Sequence, residues 1–239
     1  FLHQSVLLAQ TGPAFSYPSC SPLALHPLYR TEVWRYLSYS LAHHGPQHLA
    51  VNLLLLLLVS LPLEMTHGWA RVCLLYTAAI LAASLTHSLA RPCGSLVGCS
   101  AGVYALSTAH LASLLLNWRE DNLVLRQRLS NRRASAPTFG WVVRVCRLLV
   151  VSGILMVDVI SSLAREGGTT SYTAHLTGSG LGLLLGLVLL RNRKVHTWEV
   201  GLRRLAAGLA VLLLVSQLSL SSHLWIYSLL LLLLLLRAS

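Results

Sequence analysis

Charge is what this 239-residue chain has least of. Only 10% of its residues are charged, with seven acidic side chains in all, against about 25% in an ordinary soluble domain. So few carboxylates exclude a water-facing surface of the usual kind. The five cysteines, Cys20, Cys73, Cys93, Cys99 and Cys146, are odd in number and lack a CxxC pair. That spacing gives neither a metal site nor a disulfide framework. One bridge, between Cys20 and Cys93, stays open because both fall on one side of the membrane in the topology below. What the chain has instead is hydrocarbon: 55% hydrophobic residues and a mean hydropathy of +0.66. A chain this apolar reads as an integral membrane protein. The net charge of +11 lies between apolar runs, which fits loops flanking a bilayer and excludes a nucleic-acid face.

Apolar runs lie near 47–63, 70–89, 97–117, 138–163, 172–190 and 205–236. Pro62 and Glu64 are expected to close the first, Asn117-Trp118-Arg119 the third, and Arg191-Asn192-Arg193-Lys194 the fifth. The last run exceeds one span and is broken by Ser216, Gln217, Ser219 and His223, so it reads either as one helix with an apolar tail or as a hairpin. Phe1–Gln10 is too short to span and is ended by Thr11-Gly12-Pro13. A signal-peptide remnant is one reading; the preferred one is the tail of a first span whose start is missing. Threading the spans alternately puts five Lys and Arg on one side (Arg30, Arg35, Arg91, Arg165, Arg237) and the other thirteen of the 18 opposite. The basic side is expected to be cytoplasmic.

Two polar groups then stand where hydrocarbon belongs. Gly98-Cys99-Ser100-Ala101-Gly102 opens one run and Ala174-His175-Leu176-Thr177-Gly178 opens another. Intramembrane polar groups are expensive and call for a function, and a hydroxyl with an imidazole is a nucleophile with its base. Ser100, His175 and His48 all lie at the non-cytoplasmic ends of their helices, so the topology brings them to one depth in a cavity that water can enter from outside.

Spacing supplies further roles. His48 and Asn52 share a helix face at four residues' separation, where two N–H groups can form an oxyanion hole. Ser100 and Tyr104 share another, which puts the phenol ring where it can stack on an imidazole. Gly178, Gly182 and Gly186 follow His175 at small-xxx-small spacing. Ala101, Ala105, Thr108 and Ala112 make a matching ridge beside Ser100, so the two backbones can approach closely. Asp158, His43, His44, His87 and His110 read as structural or interfacial, and Glu64 with Arg71 as a loop pair.

Together these motifs resemble the rhomboid intramembrane serine proteases, most closely the animal secretase-type branch. The resemblance covers roughly Arg30 to Arg191. Its carriers include Glu32-Val33-Trp34-Arg35-Tyr36, His48-Leu49-Ala50-Val51-Asn52, Pro62-Leu63-Glu64-Met65, Gly98-Cys99-Ser100, Gly102-Val103-Tyr104-Ala105-Leu106, Ala109-His110-Leu111-Ala112 and Ala174-His175 with its glycines. Ala101 stands where the family reads glycine. The resemblance implies an all-α polytopic bundle: a six-helix core, its first helix largely missing here, plus one C-terminal helix. It implies a Ser100–His175 dyad without an acidic member, and an oxyanion site from His48, Asn52 and the Ser100 N–H. Tyr104 would pack on His175, and Gly98 would permit the tight approach before the nucleophile. No cofactor or metal is implied.

The resulting organisation is a remnant of the first span at 1–10 and a lumenal or extracellular loop at 11–46, whose Trp34-Arg35 region lies partly in the outer leaflet. Catalytic helices follow at 47–191, a basic cytoplasmic loop at 192–204 and a further membrane segment at 205–236. The expected partners are the lipid bilayer and single-span membrane proteins, growth-factor precursors among them. They would be cut near the outer boundary in the secretory pathway or at the plasma membrane. Two other readings remain: a catalytically inactive relative that binds membrane clients, and a channel or transporter. The latter would need polar residues along a whole pathway, whereas the deeper halves of these runs are mostly leucine.

Overall fold

The computed structural model describes residues 21–130, 172–192 and 194–238, with Cys146, Leu149, Gly153 and Met156 between them. The expected first-span remnant, most of the 138–163 run, Asp158 and Cys20 lie outside the described residues.

Residues 21–45 fold into a compact lobe around one buried guanidinium. A 3-10 turn at Pro27–Tyr29 leads to the short helix α1 (Arg35–Ser38) and a second turn at Tyr39–Leu41. Arg35 donates to Glu32 at 2.7 Å and to the carbonyls of Ser21 and Ala24, both at 2.8 Å, while its guanidinium lies 4.9 Å from the centre of the Tyr29 ring. An arginine taken out of water in this way is satisfied by fixed acceptors. Around it Leu28, Val33, Trp34 and Leu37 point outward and stay exposed.

Gly45, at φ +113°, and Pro46 at the first helical position start α2 (Pro46–His67). The helix runs through Pro62 instead of closing there. A proline removes one intrahelical bond but leaves the remaining ladder intact, and α2 ends five residues later at His67, before Gly68, whose φ is +89°. That single glycine turns the chain into α3 (Trp69–Ala90). Arg71 there donates to the His67 carbonyl at 3.0 Å, replacing the expected pair with Glu64. A free Cys93 follows, and Leu25 and Leu96 form an antiparallel bridge between the lobe and the segment before α4.

Helix α4 (Ser100–Ser130) does not stop at Asn117-Trp118-Arg119. Residues 119–130 contain no glycine or proline, and eight of the twelve are Arg, Leu, Glu or Gln, all good helix formers. Helix α5 (Tyr172–Leu189) is followed by α6 (Thr197–Ala238), one continuous 42-residue helix. The hairpin alternative for the last run is therefore excluded. The expected 192–204 loop is shortened as well, since α6 begins at Thr197. Its first turn is fixed by buried Glu199, which accepts from Asn192 Nδ2 and, at 3.2 Å, from the His196 N–H. Arg203 folds back onto the Leu187, Val188 and Leu190 carbonyls at 2.9, 3.3 and 3.0 Å. It thereby caps the C-terminus of α5, where carbonyls lack partners and a cation is favoured.

Among the described residues four helices are long and apolar enough to cross a membrane: Pro46–His67, Trp69–Ala90, Tyr172–Leu189 and Thr197–Ser221. Helix α4 is the exception, carrying Ser100, Ser107, Thr108, His110, Ser113 and Asn117 in its first five turns. It is also the innermost, packing against α2, α3 and α5, with every residue from Ala101 to His110 buried. The most polar helix is thus sheltered by the apolar ones, as the expense of polar groups in lipid requires. His110 serves this packing, its Nε2 lying 2.8 Å from the Val59 carbonyl of α2.

Candidate active site

The α4–α5 contact sets the geometry. A Cβ built on Gly178 would lie 3.0 Å from the Ala101 carbonyl carbon, one on Gly182 2.6 Å from that of Ala105, and one on Gly186 2.8 Å from Ala112 Cβ. Side chains at these positions would wedge the helices apart, so the glycine face and the small ridge meet backbone to backbone. Thr108 Oγ1 adds a cross-link to the Ser179 carbonyl at 2.8 Å.

This approach places Ser100, the first residue of α4, against His175, in the first turn of α5. Ser100 Oγ lies 2.7 Å from His175 Nε2. The Tyr104 ring stacks on the imidazole, with centroids 4.4 Å apart and 13° between planes, so it limits ring rotation. His175 is buried and Ser100 half-buried. A neutral imidazole with its lone pair on Nε2 can take the serine proton as the hydroxyl attacks.

Gly98 has φ +101°, and an added Cβ would stand 3.0 Å from Cε1 and 3.5 Å from Nε2 of His48. The position therefore demands glycine on conformation and on space. It also puts the His48 ring against the turn that carries Ser100. The His44 N–H donates to His48 Nδ1 at 3.3 Å, which leaves the hydrogen of a neutral His48 on Nε2, the side facing Gly98. Asn52 is buried on the same helix face and donates from Nδ2 to the His48 carbonyl at 2.9 Å. That bond uses one of its two amide hydrogens. The six residues singled out in the sequence thus divide unequally. Ser100, His175 and Tyr104 form one contact set, Gly98 and His48 another, and Asn52 is tied to the His48 backbone.

Ala101 is buried in a cluster with Tyr36, Tyr39, Ile80, Ala83 and Ala174. Its methyl fills core space there, which accounts for alanine at this position. Sequence reasoning missed how the turn before Ser100 is held. The Gly98 N–H donates to the Tyr39 carbonyl at 3.0 Å, and the Cys99 N–H to His43 Nε2 at 3.4 Å. Burial, the main cause, lowers the His43 pKa from its ordinary value of 6.5, against a smaller upward pull from the Leu41 backbone. The signal available in the sequence was a histidine pair directly before the Gly45-Pro46 helix start. The opposite end of the bundle holds a second unforeseen knot. His67 Nε2 lies 2.9 Å from Ser113 Oγ, and the Arg191 N–H donates to His67 Nδ1 at 3.0 Å.

A family profile described as a rhomboid domain matches residues 30–192. The chain is 36% identical to Rhomboid-related protein 3 of Homo sapiens over 194 residues, which is 80% of this chain and 46% of that protein. It is 38% identical to Rhomboid-related protein 2 of Mus musculus over 172 residues, 70% of this chain and 51% of that one. It is also 27% identical to Inactive rhomboid-related protein 2 of Caenorhabditis elegans over 177 residues, 74% of this chain and 46% of that one. The chain spans about half the length of these relatives.

Proposed function

The chain belongs to the rhomboid family, and from that premise we propose that it is an intramembrane serine endopeptidase. The observation that carries the reading is the 2.7 Å contact between Ser100 Oγ and His175 Nε2, made between two helices with Tyr104 braced against the ring. In this mechanism His175 takes the Ser100 proton as Oγ attacks a peptide carbonyl. His48 Nε2–H, an Asn52 amide hydrogen and the Ser100 N–H stabilise the oxyanion. Removing one such donor costs about 3–4 kcal/mol of barrier in other hydrolases. His175 then protonates the departing amine, and water resolves the acyl-enzyme.

The proposed substrates are single-span membrane proteins, with growth-factor precursors the first class to test. A transmembrane helix hides its carbonyls in its own hydrogen bonds, so cleavage favours sites with small or helix-breaking residues near the membrane boundary. The proposed setting is the secretory pathway or plasma membrane, with the dyad facing the lumen or exterior. The excess of Lys and Arg on the opposite side supports that orientation. The exposed Leu28, Val33, Trp34 and Leu37 support a lobe partly seated in the outer leaflet.

The test is cleavage of a single-span reporter by purified protein in liposomes. Wild type is expected to cut it, and Ser100→Ala and His175→Ala are expected to abolish the cut. Cleavage that persists in either variant refutes the dyad. Reporter binding without cleavage by wild type would favour the client-binding reading, which one relative's designation as inactive makes worth measuring.

A further inference from the structure

We propose that His43 is a positioning residue for the nucleophile. By accepting the Cys99 N–H on Nε2, it holds the turn that aims Ser100 at His175. This role rests on the protease reading above, but the bond itself does not.

Each amide on the approach to Ser100 that has a bond across the structure is held by the 21–45 lobe. The Leu96 N–H donates to the Leu25 carbonyl at 2.9 Å, the Gly98 N–H to the Tyr39 carbonyl at 3.0 Å, and the Cys99 N–H to His43 Nε2 at 3.4 Å. From the next turn, the Gly102 and Val103 N–H groups both donate to the Cys99 carbonyl, at 3.0 and 3.2 Å. Cys99 is therefore gripped on both faces of its backbone: by His43 before the helix and by α4 after it. The first N–H groups of a helix have no carbonyl one turn back, so the orientation of this turn is not set by α4 itself. Its last external restraint before the nucleophile is an imidazole lone pair.

The restraint works in one protonation state and one tautomer. Nε2 must be bare, with the hydrogen of the neutral ring on Nδ1. Both partners are enclosed, His43 and Cys99 each being 4% exposed, so water cannot replace the acceptor if it is lost. The rings facing it are His44 beside it in the chain and His48, whose centroid is 5.2 Å away and roughly perpendicular. The His48 ring in turn lies over Gly98. His43 thus touches the nucleophile turn at Cys99, and its neighbouring imidazole touches the same turn one residue earlier.

The experiment replaces His43 with an acceptor, with a donor only and with neither, in full-length protein in liposomes with the single-span reporter. His43→Gln offers a carbonyl oxygen, His43→Lys only N–H groups, and His43→Leu no polar atom. His43→Gln is expected to keep kcat within about fivefold of wild type. The Lys and Leu variants should lose on the order of a hundredfold, the scale of a misplaced reacting group. KM should change less than about twofold in all three, because His43 is not placed at the substrate. Equal losses in Gln and Leu, full activity in Leu, or a loss confined to KM overturns the proposal. Should the Lys and Leu variants fail to fold, 15N spectra of wild-type protein labelled at histidine decide it. His43 is expected as the Nδ1–H tautomer with Nε2 unprotonated, and an Nε2–H tautomer or an imidazolium at neutral pH overturns the assignment. Failure of the protease reading would show separately, as wild-type protein that does not cut the reporter, and the spectra would still judge the bond.

Discussion

Adding one methyl at Gly182 should uncouple the proposed dyad without touching it. The new Cβ would fall 2.6 Å from the Ala105 carbonyl carbon and closer still to its oxygen and Cα, where ordinary contact needs at least 3.4 Å. The shortfall at the carbonyl carbon alone is 0.8 Å. The obstacle is helix backbone and not the end of a flexible side chain, so relief requires α4 and α5 to part by about 1 Å. Carried to the end of the bundle, that shift takes Ser100 and His175 from 2.7 Å to beyond hydrogen-bonding distance. A misplacement of about 1 Å is worth on the order of a hundredfold in rate, or about 3 kcal/mol of barrier. The assay is reporter cleavage in liposomes, run beside labelling of Ser100 by a fluorophosphonate. Gly182→Ala and Gly178→Ala should lose both signals together. Gly180→Ala on the same helix is the control, because nothing lies within 4 Å of its added Cβ. It should retain full activity and gain up to about 1 kcal/mol from better helix propensity. A Gly182→Ala protein that cleaves at the wild-type rate would refute the argument that this glycine face sets the Ser100–His175 distance.

Three further outcomes follow from named contacts. Removing the stack with Tyr104→Leu should lower kcat by up to about tenfold, the scale of an aromatic pair, while Tyr104→Phe, which keeps the ring, should lose much less; equal losses would exclude stacking as the cause. Burial, the main cause, lowers the pKa of His43 from the ordinary 6.5, so the unfolded chain takes up a proton there before the folded one does. Stability is then complete above 6.5 and falls as pH drops below it, which thermal unfolding in detergent between pH 7.5 and 5 checks; His43→Gln should flatten the fall. Arg203→Gln should lower the unfolding temperature and loosen α6 from α5, because it strips a charged donor from the Leu187, Val188 and Leu190 carbonyls. Protection of the α5 C-terminal amides from hydrogen exchange is the readout, and unchanged protection would show that the cap does not hold the helix.

Some structural features were readable because they depend on periodicity. The spacing of Gly178, Gly182 and Gly186 against Ala101, Ala105 and Ala112 identified two smooth faces. An apolar chain with so few charges could satisfy its backbone in lipid only as helices. Helix ends were read less well. Pro62 and Asn117-Trp118-Arg119 look like stops, yet α2 and α4 pass through them, because one missing bond or a charged turn does not outweigh a continuous ladder. The 192–204 stretch reads as a basic loop until Glu199 and Arg203 are seen to find partners on the neighbouring segment and on α5.

From the order of residues alone came the membrane class, the helical architecture, the family resemblance and the pairing of a hydroxyl with an imidazole, since each follows from local composition or fixed spacing along a helix. Only the tertiary structure decided that α4 is the enclosed helix, that Arg35 organises the lobe, and that Tyr39 and His43 hold the turn before Ser100. Those are contacts between residues far apart in the chain. The partner of a lone buried N–H is settled by which groups packing brings within 3–3.5 Å, and no period in the sequence encodes it.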